Sequence, residues 1–543
     1  MFNWLDLIKK VVFKNAISNK KTGSTKRLNM EKNQSDKLPI KDQQFFRDKF
    51  TWFYRISILF IFLAGIGIRL YDINDAPLDF HPTRQLFSAL KARGMYYQNL
   101  QSAPDWQREL AVHQWKIQGL IEPPVMERLA AFSYQVAGQE NLVIPRVYSI
   151  LFWTLGGLGL LFLTKELTNI NGSIIALVIY FFTPYTVYAS RAFQPDPLMV
   201  SLMIFAILGL VKWERTQKWK WAIFAGVFAG LAIFIKTVVI FPLAIAFVIV
   251  PIVKLGFRSA IKNKHVWIIA ALALIPYLLF YIYGLFISGE LQSQFSLRFF
   301  PQLWITPEFW LQWNGNIARV VGLEIFLGSI LGTFMFEKKI DRLMVIGLFF
   351  GYFIYGMIFS YHISTHDYYQ LPLVPIVAMG IASLFQWIFK CLKGATWSKV
   401  LIVVTVVCYF ILIKGWDVRV ELKRNNYNDE VTVWKELSSL FKPEDSIIGL
   451  TPDYGYRFEY WGWHKIENWM SSADFAIREL AGQEFDMVSW FTEQVNGKDF
   501  FLITQFEELD RQPQLKQLLE DNFPVYLSTG DYLVYDLRNQ LSK

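Results

Sequence analysis

The sequence predicts a polytopic α-helical membrane protein of about eleven transmembrane helices with a small C-terminal α/β domain. Three observations carry that expectation. The 543-residue chain is 53% hydrophobic and 17% aromatic with only 18% charged residues, outside the range of ordinary soluble domains. Apolar stretches of about 20 residues, the length that crosses a bilayer, recur between residues 52 and 415. After residue 425 short strand patterns alternate with helical ones.

The elements follow in order. Residues 1–50 read as a cytoplasmic tail, with 1–20 an amphipathic surface helix and 21–45 polar and flexible. The first twenty residues lack the sustained apolar core and small-residue cleavage site of a secretory signal. Residues 51–420 form the transmembrane domain, with spans at about 52–70, 145–164, 172–189, 196–213, 220–236, 238–254, 266–287, 319–336, 343–361, 369–389 and 399–415. Two outer loops interrupt it. The loop 71–144 carries helical spacing at Gln85 to Gln98 and at Val125 to Val136, read as two helices along the membrane surface. The loop 288–318 is rich in Phe, Trp and Gln, and such rings favour the headgroup region. Residues 425–543 form the outer-face α/β domain, with strands at Asp445 to Leu450, Asp499 to Thr504 and Phe523 to Ser528. Helices at about 430–441, 471–482 and 513–521 separate them.

Charge orients the chain. Lys212, Arg215, Lys218 and Lys220 fall in one loop, Lys254, Arg258, Lys262 and Lys264 in another, and Lys338, Lys339, Arg342, Lys390, Lys393 and Lys399 in two more. The alternate loops hold few cations, so the positive-inside rule places the N-terminus in the cytoplasm. An odd number of spans then puts the C-terminal domain outside. The net charge of +9 resides in the tail and these loops, which argues for membrane orientation and against nucleic-acid binding. Cys391 and Cys408, 17 residues apart, offer neither a disulfide framework nor a metal-type spacing. No Gly-rich phosphate loop or nucleophile elbow is present, which excludes a nucleotide-driven cytoplasmic enzyme.

Polar residues gather on the outer side. Asp79-Phe-His81-Pro-Thr-Arg84-Gln85 follows the first span, Glu122 precedes a Pro-Pro helix start, Arg191 and Asp196 flank Gln194-Pro, and His366-Asp-Tyr368-Tyr precedes a late span. Carboxylates beside cations at the water–lipid boundary suit chemistry on a lipid-carried substrate. Blander readings exist for each. Asp79 could be a solvated loop acid, Glu122 a first-turn acid, Asp196 a helix cap, and Arg191 and Lys236 snorkelling cations. His81, His362 and His366 leave a divalent metal open as an alternative, though without a short-range ligand pattern.

In their order and sidedness these motifs resemble the GT-C glycosyltransferases, in the branch with protein O-mannosyltransferases and lipid A aminoarabinose transferases. The resemblance covers about residues 50–420. It implies a GT-C-like membrane enzyme of the cell envelope that moves a hexosyl or pentosyl group from a polyprenyl-phosphate donor, with inversion, to a lipid, glycan or protein acceptor. It also implies the bilayer as partner, no nucleic acid and a bacterial inner membrane; no cofactor is assigned, and a divalent metal stays open. The catalytic role carries over to Asp79, since the chain has Thr83-Arg84 where many relatives place an acidic pair; a subgroup places the acid two residues before the His. Asp196 and Glu122 are the supporting acids, and Glu122 stands where relatives often have lysine. His81, Arg84, Gln85, Arg191, His366 and Tyr368 are the expected phosphate and substrate contacts. A phosphate leaving group needs no general acid. It needs a base for the acceptor proton, worth about 10²–10⁴-fold, and cations for the departing charge. The alternative is a transporter or lipid flippase, which predicts ionisable residues deep in the spans, where each costs about 2.5–3.5 kcal/mol.

Overall fold

A computed structural model of the chain describes residues 40–291, 298–392 and 396–541. The expected amphipathic helix at 1–20, and the polar stretch up to residue 39, lie outside the described residues. From Ile40 the chain is helical through Leu70.

Among the described residues, eight helices are long and apolar enough to cross a membrane, or nine if one bent pair forms a single span. Two shorter apolar helices, Ile170–Phe182 and Trp219–Ile235, add to these. Their surfaces show what surrounds them. Along helix Val143–Leu167, Leu151, Leu155, Leu158 and Phe162 form an exposed stripe, while Trp153, Gly156, Leu160 and Leu163 face inward. An outward apolar stripe at helical spacing is stable against lipid, so the protein is an integral membrane protein.

Two expected spans are interrupted. Residues 319–336 are mostly apolar, yet Gly322 at φ 83° breaks them, and helices Pro307–Val321 and Leu323–Thr333 meet at 88°. Only glycine takes that φ without strain. The stretch 172–189 is also cut, because Pro184 begins a new helix and holds Thr183 extended.

Small residues allow the closest approach in the bundle. A Cβ on Gly332 would sit 2.0 Å from the carbonyl oxygen of Gly380 on helix Leu373–Cys391. Backbone cannot retreat as a flexible side chain can. Gly332→Ala is therefore expected to destabilise by about 1–3 kcal/mol, read as a lower melting temperature in detergent. An unchanged melting temperature would show that the helices slide apart at no cost.

Three helices, Pro82–Tyr97, Asp105–Ile117 and Val125–Ala137, fill the segment after the first span. The first of these is enclosed by protein: every residue from Gln85 to Tyr96 is buried. Its Arg93 explains why. The guanidinium pairs with Glu140 at 3.0 Å, donates to the Tyr460 carbonyl at 2.6 Å and stacks on the Tyr460 ring at 3.7 Å. These contacts bind the segment to the C-terminal α/β unit.

That unit holds a five-stranded sheet: β1 Ile447–Leu450, β2 Glu467–Asn468, β3 Phe500–Ile503, β4 Val525–Ser528 and β5 Leu533–Asp536. The order is β2-β1-β3-β5-β4, parallel across β2-β1-β3 and antiparallel across β3-β5-β4. Central β1 and β3 are buried along their whole length, as strands covered on both faces must be. The three expected strands are present; β2 and β5 carry too little periodicity to be read.

Helix Tyr456–Gly462 packs against both helix Asn428–Ser438 and the loop helix Pro82–Tyr97. Its Glu459 is 2% exposed, and its Oε2 has no hydrogen-bond partner. Burial, only partly offset by Arg93, pushes this carboxyl up to about 8. The folded protein then holds a proton that the unfolded chain releases above its ordinary value of about 4.5. Stability should fall as pH rises from that value to about 8, by up to about 1.4 kcal/mol per unit. Glu459→Gln should flatten that slope in melting curves, and equal slopes in both proteins would exclude Glu459 as its source.

Candidate active site

A cavity of about 470 Å³ opens at the end of the bundle that carries the α/β unit. His81, Arg84, Glu122, Lys236, Arg298, His362, His366 and Tyr368 supply its polar wall; Tyr277, Phe280, Leu291 and Phe359 supply an apolar one. Tyr454 and Tyr456 of the α/β unit close one side.

Each polar group is placed by its own element. Pro82 starts helix Pro82–Tyr97, its missing N–H costing nothing in the first turn. His81 and Arg84 thereby face the cavity from the helix entrance. Arg84 donates to Glu122 at 2.7 Å. Burial opposes ionisation of Glu122, but Arg84 and then Lys236 hold its carboxyl below the usual range. Lys236 occupies the break between helix Trp219–Ile235 and the turn Thr237–Val239. Its Nζ lies 2.9 and 3.0 Å from the two oxygens of Asp196 and 4.8 Å from the centre of the Tyr368 ring. Asp196 opens helix Asp196–Thr216, where the dipole also favours its charge.

The turn Asp367–Gln370 completes the wall. Asp367 Oδ1 lies 2.6 Å from His81 Nε2 and accepts from the Tyr185 hydroxyl at 2.6 Å, while Oδ2 accepts from Arg319 at 3.1 Å. Burial works against its charge, yet the hydrogen bonds from His81 and Tyr185 hold it well below the usual carboxylate range. His366 is pushed down to about 4 by burial and then by the neighbouring His81, and His362 to about 3 by burial and then by His366. Both imidazoles are neutral near pH 7. Neutral His366 can donate a hydrogen bond to a phosphate and adds no charge.

Five of the expected residues thus line the cavity: His81, Arg84, Glu122, His366 and Tyr368. Four do not. Asp79, expected to be the base, is 7% exposed, with Arg146 at 2.7 Å and Arg191 Nε at 3.3 Å. Arg191 also donates to the carbonyls of Tyr71 and Asp72, and Gln85 to those of Pro77 and Phe80. Gln85 in turn accepts from the Phe193 N–H at 2.9 Å. Arg191 and Gln85, with Arg146 on the carbonyls of Ile73 and Asp75, pin the loop 71–80 from within, because its backbone groups need partners once buried. Asp196 reaches the cavity only through Lys236.

Lys236 reads from the sequence only as a snorkelling cation, and Arg298, Asp367 and the two domain tyrosines are not among the expected site residues. For Lys236 a signal existed: a lysine between two apolar runs on a side otherwise poor in cations. Asp367 adjoins a residue that was chosen, but its tie to His81 spans 286 positions. Among the described residues, no three His, Cys, Asp or Glu side chains converge as a metal-ligand set.

Comparison with known proteins places this geometry. The family described as dolichyl-phosphate-mannose-protein mannosyltransferase matches residues 121–283. The fold is similar to crystal structures of ArnT from Cupriavidus metallidurans in the apo state (TM-score 0.57, 12% identity) and bound to undecaprenyl phosphate (TM-score 0.58, 12% identity). Each comparison covers 90% of this chain and 98% of that one. An apo oligosaccharyltransferase from Archaeoglobus fulgidus matches at a TM-score of 0.48 and 10% identity, over 83% of this chain and 69% of that one. No curated protein sequence matches the chain. The architecture is that of the GT-C fold, as its loop and helix motifs anticipate.

Proposed function

We propose that the protein is a glycosyltransferase that takes a sugar from a polyprenyl-phosphate donor and passes it, with inversion, to an acceptor. The observation that carries this reading is the cavity itself. Arg84, Lys236 and Arg298 meet there with Glu122 beside an apolar wall at the end of the spans. An anionic headgroup on a lipid tail has that polarity. The similarity to an ArnT structure bound to undecaprenyl phosphate supports the same donor class.

In this reading the cations receive the phosphate as its charge grows on bond cleavage, and Glu122 fixes the Arg84 fork. Neutral His366 donates a hydrogen bond, and Tyr368 holds Lys236 against the cavity wall. Tyr454 and Tyr456 exclude water from above. The distribution of Lys and Arg among the loops supports a cytoplasmic N-terminus and an α/β domain on the outer side, and the resemblance to GT-C enzymes supports a bacterial inner membrane. The sugar is a hexose or pentose; the acceptor is a lipid, glycan or protein.

The test uses the purified full chain in lipid nanodiscs with a panel of polyprenyl-phosphate sugars, with a membrane extract supplying acceptors. Mass spectrometry follows loss of sugar from the lipid. Wild type should consume at least one donor, and Arg84→Met/Glu122→Gln, which removes both charges together, should be at least about tenfold slower. If every donor survives wild type, the reading fails.

A further inference from the structure

The proposed reaction needs a base, and the acids expected to supply it are engaged. Asp79 is held by two arginines, Glu122 by Arg84 and Asp196 by Lys236. His81 differs. Its side chain is 30% exposed in the cavity, Asp367 holds Nε2, and no described residue hydrogen-bonds Nδ1. A carboxylate on Nε2 selects the tautomer with the proton there, leaving a lone pair on Nδ1. The ring is clamped edge-on by Phe80 and Tyr368, each 4.7 Å away between centroids. Its backbone sits at φ 41°, ψ 67°, directly before a proline. A left-handed non-glycine residue costs about 1–3 kcal/mol and persists where its surroundings over-determine it, often at functional sites.

We infer that His81, oriented by Asp367, is the group that takes the acceptor's proton. The inference rests on the glycosyltransferase reading. The acceptor oxygen forms its bond to the anomeric carbon as its proton passes to His81 Nδ1. The bond from that carbon to the phosphate oxygen breaks, and its electron pair leaves with the polyprenyl phosphate. Asp367 stabilises the imidazolium, which then returns its proton to water. Asp367 is a positioning residue; His81 touches the reacting atoms.

Charged and titratable groups surround the ring. Arg84 stands on its own helix, and Asp79 precedes it. Asp367, His366 and Tyr368 face it from the late turn, with Tyr185 and Arg319 behind Asp367. Glu122 and Lys236 share the cavity.

The closing experiment uses the donor that wild type consumes, in nanodiscs, from pH 5 to 9. Glycine suits the positive φ at position 81, so His81→Gly should fold, and its melting temperature checks this. Expected is a fall in kcat of about 10²–10⁴-fold, donor affinity within about threefold of wild type, and partial rescue by added imidazole. Asp367→Asn should be slower, and the rise of its rate with pH should move to lower pH, because a lost anion weakens proton binding. A folded His81→Gly that keeps its rate overturns the inference while the function stands. So does a loss confined to donor affinity, which would make His81 a phosphate ligand. A wild type that binds donors yet consumes none overturns both.

Discussion

Replacing Lys236 by methionine should abolish transfer, with a fall of at least about 10²-fold, the usual effect of losing one preorganised group at a developing charge. Lys236 Nζ stands where the bundle meets the cavity, bridged to Asp196 and set over two tyrosine rings. Asp196 is 1% exposed, so the substitution also strands a carboxylate in a dry site. Breaking a buried pair from one side costs about 3–5 kcal/mol. The fall in activity could therefore come from unfolding alone, and a second variant separates the two. Lys236→Met/Asp196→Asn removes both charges and should recover most of the melting temperature. It should not recover turnover, since the cation that faces the phosphate is still missing. Turnover at the wild-type rate in the double variant would reduce Lys236 to a structural partner of Asp196 and leave phosphate recognition to Arg84 and Arg298.

The contrast between Lys236 and Asp79 shows what a sequence can hold. Apolar helices and three of the five strands are local patterns of apolar spacing, and they are legible because each is written within about twenty residues. The cluster of polar residues at one end of the bundle is legible for the same reason. Which members of the cluster face the cavity is not. Asp79 and His81 are two residues apart, yet one is turned toward Arg146 and Arg191 and the other toward Asp367. Their partners lie 67, 112 and 286 positions away along the chain. The left-handed backbone at His81 separates the two side chains, and nothing in Asp-Phe-His-Pro announces it. Tyr454 and Tyr456 were invisible for a related reason: they reach the cavity only after the α/β unit docks on Arg93 and Gln114.

Asp79→Asn should cost folded protein more than it costs chemistry. The carboxylate lies between two guanidiniums that are each 1% exposed, and it is the anion that both share. Arg146 keeps the carbonyls of Ile73 and Asp75, and Arg191 keeps those of Tyr71 and Asp72. Carbonyl dipoles satisfy N–H groups but do not cancel two positive charges at close range in a low dielectric. The expected loss is about 3–5 kcal/mol, seen as a lower melting temperature and yield in detergent. Turnover per folded molecule should change far less than in His81→Gly. A compensating change tests the cause directly: Asp79→Asn/Arg191→Met removes one guanidinium with the anion and should regain part of the lost stability. The opposite pattern has an equally definite meaning. If Asp79→Asn keeps its melting temperature while its rate falls by more than about 10²-fold, the arginine cage opens during turnover and Asp79 takes the proton. The His81–Asp367 pair would then serve the phosphate.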